Sequence, residues 1–327
     1  MFLTETSLII REFDFRWSWL VLSENRGLML VLATAIISGF SIFINSFVVK
    51  GFNPFVFTTL KNAFVALFLI AAILLLTEWK NLAKLTKQQW VKLATVGLIG
   101  GSIPFLLFFY ALKIASSATT AGFLQKTIFV WATIFAIVFL REKINKMFIA
   151  GAALLLLGNF LLFSNLSTFD LPEILVLIAA VMWGLEIVLA KHLLNDVSGR
   201  VVAFGRMFFG AGFMLLFLAA TGQLQDIGAL TTEHWMWIAI TGILLFFYVF
   251  TFYTGLKYTT VSKATAVLLL GQPITGVLSM VFSGKALGLN ETIGFMLIIA
   301  GVVLVIGITY FASLLKSKGV GLAAIRY

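Results

Sequence analysis

The chain has 327 residues, 61% of them hydrophobic and only 11% charged, and its mean hydropathy is +1.09. A water-soluble fold carries about 25% charged residues to cover its surface, so this surface faces lipid and the chain is a polytopic membrane protein. With 0 Cys a disulfide framework, a thiolate metal site and a thiol nucleophile are excluded, and the basic residues behind the +10 net charge are scattered singly between apolar stretches, which reports membrane orientation and not a nucleic-acid partner.

Residues 1–26 mix Arg11, Glu12, Asp14 and Arg16 with Phe13, Phe15, Trp17 and Trp19. They lack the order of charge, apolar run and small-residue site that marks a cleavable signal, and are expected to form an interfacial or loosely ordered cytoplasmic arm. Apolar stretches of bilayer-crossing length then recur at 28–49, 54–77, 93–112, 116–140, 147–164, 174–190, 201–220, 235–256, 264–283 and 292–313. The sequence therefore predicts an all-α membrane protein of ten transmembrane helices, with a cytoplasmic tail over 314–327. Seventeen of the 23 basic residues fall in the arm, in alternate loops and in the tail; Lys50, Lys113 and Lys285 fall on the other side, and Lys61, Lys126 and Arg206 inside spans. Basic loops are retained in the cytoplasm, so both termini are expected inside, in a multi-pass protein of the plasma membrane.

Sliding the chain on itself by 143–145 residues aligns Gly39 with Gly184, Lys61 with Arg206, Trp90 with Trp235, Gly97 with Gly242, and Gly151 and Gly158 with Gly294 and Gly301. Agreement across five helices indicates a duplication, with one copy over 27–164 and the other over 173–313. Because five is odd, the second copy enters the membrane from the opposite side. This predicts two inverted repeats about an axis in the membrane plane, an architecture of secondary transporters.

The Tyr110-Ala-Leu-Lys113 end of helix 3, the run Ala115-Ser-Ser-Ala-Thr-Thr-Ala121 opening helix 4 and Leu140-Arg-Glu142 closing it resemble the EamA-type repeat of the drug/metabolite transporter superfamily. The second copy repeats the pattern with Gly255-Leu-Lys257-Tyr-Thr-Thr and Leu-Leu-Leu-Gly-Gln-Pro273, so the resemblance covers about residues 27–313. Two positions depart from it: the proline present as Pro273 is Phe129 in the first copy, and the closing acid present as Glu142 is Ala286 in the second. The resemblance implies ten helices around a central cavity and transport of small metabolites, often export, without implying a substrate.

Four ionisable residues lie within spans, and each costs roughly 2.5–3.5 kcal/mol at a helix centre unless paired or wetted. Lys61 is seven residues, ~10 Å, from the outer end of helix 2, where it either snorkels to the headgroups or faces inward. Lys126 lies ~15 Å into helix 4, near the midplane, and is the expected contact for an electron-rich group of the substrate. At 100° per residue, however, it points well over 90° away from Ala121, the counterpart of Thr265. Glu186 and Arg206 lie near the inner ends of helices 6 and 7 and are expected to pair, either as a latch on the cytoplasmic side or as a structural ion pair; Ser41 and Lys61 are their outer counterparts. Gln125, Tyr110, Trp183, Tyr253, Thr265 and Gln272 complete the substrate-binding candidates. Gln272 stands out because Pro273 frees the carbonyl of Leu269 beside it.

His192 and His234 are the chain's two histidines, both near span ends, and no GxxxxGK[ST] occurs. No enzyme activity, metal site or cofactor is expected. The expected function is secondary transport of a small metabolite, amino acid-like or anionic, by alternating access, with export favoured. A pore or scaffold without a transport cycle is the alternative. Expected partners are the lipid bilayer and a small-molecule substrate, no nucleic acid, and homodimerisation is left open.

Overall fold

A computed structural model describes residues 2–48, 52–114, 118–162, 169–284 and 286–307; the tail at 314–327 and Lys50 and Lys285 lie outside them. Among the described residues all regular structure is helical. The order is α1 (Phe2–Val48), α2 (Pro54–Leu75), α3 (Trp79–Ala83), α4 (Lys87–Gly101), α5 (Ile103–Ile114), α6 (Ala118–Lys126), α7 (Ile128–Leu140), α8 (Lys146–Leu161), α9 (Leu171–Leu193), α10 (Gly199–Ala220), α11 (Thr232–Tyr258), α12 (Val261–Val267), α13 (Gly271–Ser283) and α14 (Leu289–Ile306). Short 3-10 segments cover Gln223–Ala229 and Leu268–Leu270.

Local signals set these boundaries. Asn53 accepts from the Phe55 amide with Pro54 opening α2, and Thr86 and Gln89 form a capping box on α4. The arm is not separate from the first span: α1 runs unbroken from Phe2, because neither glycine nor proline occurs before Gly27 to stop it. Among the described residues nine helical stretches are long and apolar enough to cross a membrane, with α4 and α5 forming one stretch, residues 121–140 a second and α12 with α13 a third. The tenth predicted span is α8, which is apolar but has only 16 residues, ~24 Å. Leu75, Leu289 and Phe282 are among the most exposed side chains, as expected where the outer surface meets lipid.

The glycines pick out a recurrent packing. A Cβ at Gly151 would stand 2.7 Å from the Gly301 carbonyl and one at Gly301 2.8 Å from that of Gly151; Gly158 and Gly294 relate in the same way. The pairing is antiparallel, and the sequence offset maps the Gly151–Gly301 pair onto the Gly294–Gly158 pair. The same exchange recurs elsewhere. Gly97 meets Phe209 while Gly242 meets Phe64, and Gly39 meets Ile274 while Gly184 meets Trp131. These inter-copy glycine contacts thus return with their partners swapped, as contacts do in an isologous interface.

Ion pairs and capping contacts gather the ends of α2, α7, α9 and α11 with the starts of α10 and α12. Arg141 ends α7 in the left-handed region (φ 55°), and Glu142 then accepts from Val261 N (2.6 Å), Ser262 N (3.1 Å) and Ser262 Oγ (2.6 Å) at the start of α12. Glu78 accepts from Ser198 Oγ and pairs with Arg200, and Glu24 of α1 pairs with Lys263. Lys191 Nζ donates to the carbonyls of Leu256, Lys257 and Thr259. At the opposite end Asn53 Nδ2 reaches Gln223 Oε1 (2.9 Å) and Asp226 Oδ2 (2.8 Å). Three carboxylates of the first half therefore clasp the second at the basic end.

Candidate functional site

Three helix interruptions shape the middle of the bundle. Pro104 has no amide to give the Gly100 carbonyl four residues back, and the helix divides at Ser102 into α4 and α5. Between α6 and α7, Thr127 bonds its hydroxyl to the Leu124 carbonyl (2.6 Å), a side-chain competitor for the helical ladder. Between α12 and α13 the 3-10 turn Leu268–Leu270 precedes Pro273. The first copy thus breaks at the equivalent depth with Phe129 in place of proline.

Around these breaks lies a cavity of about 240 Å³. Its wall includes Ser41, Gln125, Lys126, Trp183, Glu186, Arg206, Tyr253 and Thr265, eight of the residues singled out in the sequence. Lys126 reaches it while pointing away from Ala121, as the angular count requires, because Ala121, unlike its counterpart Thr265, is not on the cavity wall. Its Nζ has no hydrogen bond or ion pair among the described residues. Thr265 contributes little polarity, since its hydroxyl is engaged by the Val261 carbonyl (2.9 Å).

The most polar part of the wall is built on the carbonyl that Pro104 releases. Gly100 O accepts from Trp183 Nε1 (3.0 Å) and from Arg206 Nη2 (2.9 Å). Glu186 accepts from Tyr253 Oη at 2.6 Å and faces Arg206 Nε at 3.6 Å, too far for a hydrogen bond, so that Nε is buried without an acceptor. Both charges are withdrawn from the surface, Glu186 being 1% and Arg206 8% exposed. The Arg206 guanidinium lies over the Phe105 ring, 5.6 Å from its centre, and Trp183 stands edge-on to the same ring. Gly100 is required here, because a Cβ would come within 2.2 Å of Glu186 Cγ. Because α9 runs on to Leu193 and α10 starts at Gly199, the pair sits seven residues, ~10 Å, from the nearer helix ends, deeper than the sequence suggests.

Three expected residues are elsewhere. Tyr110 is 45% exposed and away from the cavity, on α5 beyond the break at Ser102. Gln272 donates to Asn159 Oδ1 (3.0 Å) on α8, because a 3-10 turn winds about 20° per residue further than an α-helix and carries it off the cavity side. Lys61 is buried, neither snorkelling nor lining the cavity, with its Nζ 4.8 Å from the centre of the Phe57 ring; its expected neighbour Ser41 is bonded by Asn45. The sequence reading missed Ser38, Phe105, Tyr248 and Phe252. Ser38 was recoverable, since the offset that maps Glu186 onto Ser41 maps Trp183 onto Ser38. Among the described residues no group of three His, Asp or Glu side chains gathers to hold a metal ion.

Residues 25–164 and 171–307 each match the EamA-like transporter family. An uncharacterised transporter of Clostridium kluyveri is 29% identical over 249 residues, which span 72% of this chain and 79% of that one. A riboflavin transporter of Fusobacterium nucleatum is 28% identical over 207 residues, 58% of this chain and 67% of its own length. A solved crystal structure shares the fold with a TM-score of 0.71 at 19% identity, covering 85% of this chain and 96% of the other. With both halves of the chain matched, it belongs to the EamA-like transporter family and is a membrane transporter.

Proposed function

We propose that the protein is a secondary transporter that exports a small anionic or amino acid-like metabolite across the plasma membrane by alternating access of two inverted five-helix repeats. The observation that carries the proposal is the exchange of partners in the inter-copy contacts, Gly97–Phe209 with Gly242–Phe64 and Gly39–Ile274 with Gly184–Trp131. Two halves that pack on each other by equivalent surfaces have two equivalent ways to tilt, and the cavity between them is then reached from either side. The charge of the wall selects the solute. Lys126 and Arg206 against Glu186 leave one uncompensated cation in a low-dielectric bundle, where an anionic group is the favourable occupant.

With both termini in the cytoplasm, the basic end is the inner end. Its closure by Glu142, Glu78 and Glu24, backed by Glu186–Arg206 further in, favours an outward-facing resting state. The test is counterflow in proteoliposomes with labelled amino acids, aromatic and aliphatic carboxylates, and riboflavin, the solute named for one relative. Saturable flux accelerated by unlabelled solute on the far side is the expected result. Flux linear in concentration would indicate a pore, and no flux for any solute a scaffold.

A further inference from the structure

We infer that the transported solute is a small planar aromatic carboxylate, one or two fused rings carrying a single negative group; this rests on the transporter reading above and narrows its substrate. Six of the nineteen residues around the cavity are aromatic, about twice the 15% of the chain as a whole. They form ordered ring pairs: Phe105 lies edge-on to Trp183 (5.2 Å, 76°), Phe252 edge-on to Tyr253 (5.2 Å, 77°) and stacked on Tyr248 (6.0 Å, 17°). Rings in such arrangements accept a further flat ring by the same edge-to-face or offset contacts, which a puckered aliphatic ring of equal area does not reproduce.

The polar groups restrict the solute further. Lys126 Nζ has no hydrogen-bond or ion-pair partner among the described residues, so the wall offers an unmet cationic donor to an oxyanion. Two tyrosine hydroxyls are also placed on this wall, where phenylalanine would bury more cheaply. Tyr253 uses its hydroxyl on Glu186, and that of Tyr248 has no protein partner among the described residues. The volume of about 240 Å³ lies below the roughly 300–1,000 Å³ of sites for drug-sized ligands, which limits the ring system to one or two fused rings.

Three probes separate ring from charge on the purified full-length protein: indole-3-acetate, which has both; cyclohexylacetate, with the charge on a puckered ring; and indole, with the ring alone. Indole-3-acetate is expected to raise the melting temperature. Cyclohexylacetate should need about three- to tenfold more for the same shift, and indole about tenfold more or beyond. Lys126→Met should remove the advantage of indole-3-acetate over indole while melting like the wild type without ligand, and Lys126→Arg should retain it. Equal shifts by indole-3-acetate and either other probe would overturn the inference, as would loss of the advantage in neither or both variants. No shift by any probe, with counterflow of some other solute, would overturn the aromatic class and leave the transporter reading standing. No shift together with no counterflow of any solute would overturn both.

Discussion

Glu142→Gln is the most informative perturbation of the basic end. The carboxylate accepts three hydrogen bonds at the start of α12, at 2.6, 3.1 and 2.6 Å, across the junction between the two halves. Hydrogen bonds to a charged acceptor contribute about 1.5–3 kcal/mol each, and a carboxylate at a helix start adds about 0.3–1 kcal/mol. Glutamine keeps one acceptor oxygen and turns an NH₂ donor on the remaining donors, so at least one charged bond and the charge itself are lost. We therefore expect a loss of about 2 kcal/mol from the state closed at this end, a roughly 30-fold shift in the equilibrium between the two states at 1.4 kcal/mol per tenfold. The chain has 0 Cys, so a single Ser41→Cys in the cavity wall is a unique reporter. Its labelling by an impermeant maleimide from the basic-end side should accelerate by up to that factor in Glu142→Gln. Ser262→Ala removes one of the same three bonds and should give a smaller increase, and the two substitutions together should fall short of additivity because they share one interaction. Labelling rates unchanged from the parent in both variants, with melting temperatures intact, would refute the clasp.

Other substitutions probe the polar wall and the helix ends. Glu186→Gln strands Arg206 without its counter-ion and should cost about 3–5 kcal/mol by thermal or denaturant unfolding, whereas the double change Glu186→Gln with Arg206→Met should cost less than the single one. Gly100→Ala drives a methyl into Glu186 Cγ, 2.2 Å away, and should destabilise by about 1–3 kcal/mol; Gly212→Ala, where a Cβ meets nothing within 4 Å, is the control and should leave the melting temperature unlowered. Arg141 holds a left-handed conformation (φ 55°), as Gly284 does (φ 66°) at the end of α13. Arg141→Gly should therefore relieve about 1 kcal/mol of backbone strain and raise the melting temperature.

What could be read from the sequence divides along physical lines. Bilayer-length apolar runs and the 143–145-residue offset report helices and duplication directly, because both depend on composition and spacing alone. The short α8 fell at the limit of that signal: 16 residues ending near Leu161 have no charge to mark where the span stops. Cavity-lining residues were legible where a charge falls inside a span, as with Lys126, Glu186 and Arg206. They were lost where a helix changes its winding. A 100° count runs correctly to Lys126 and fails beyond Thr127, and Gln272 follows a 3-10 turn that no residue before Pro273 announces. The continuity of the arm with the first span has another cause: a stretch with no helix breaker before Gly27 carries the helix on, whatever its mixed charged and aromatic composition. The role of Pro104 needed the fold itself, because the acceptors of its freed carbonyl, Trp183 and Arg206, lie 83 and 106 residues away.

The claim that one cavity serves both faces of the membrane is tested most directly by labelling Ser41→Cys in sealed vesicles with an impermeant maleimide applied to one side at a time. The account predicts modification from either side, slower from the basic end, with a transported solute changing the ratio of the two rates and no ion conductance appearing. Modification from one side only under every condition, or from both sides together with a steady conductance, would contradict it.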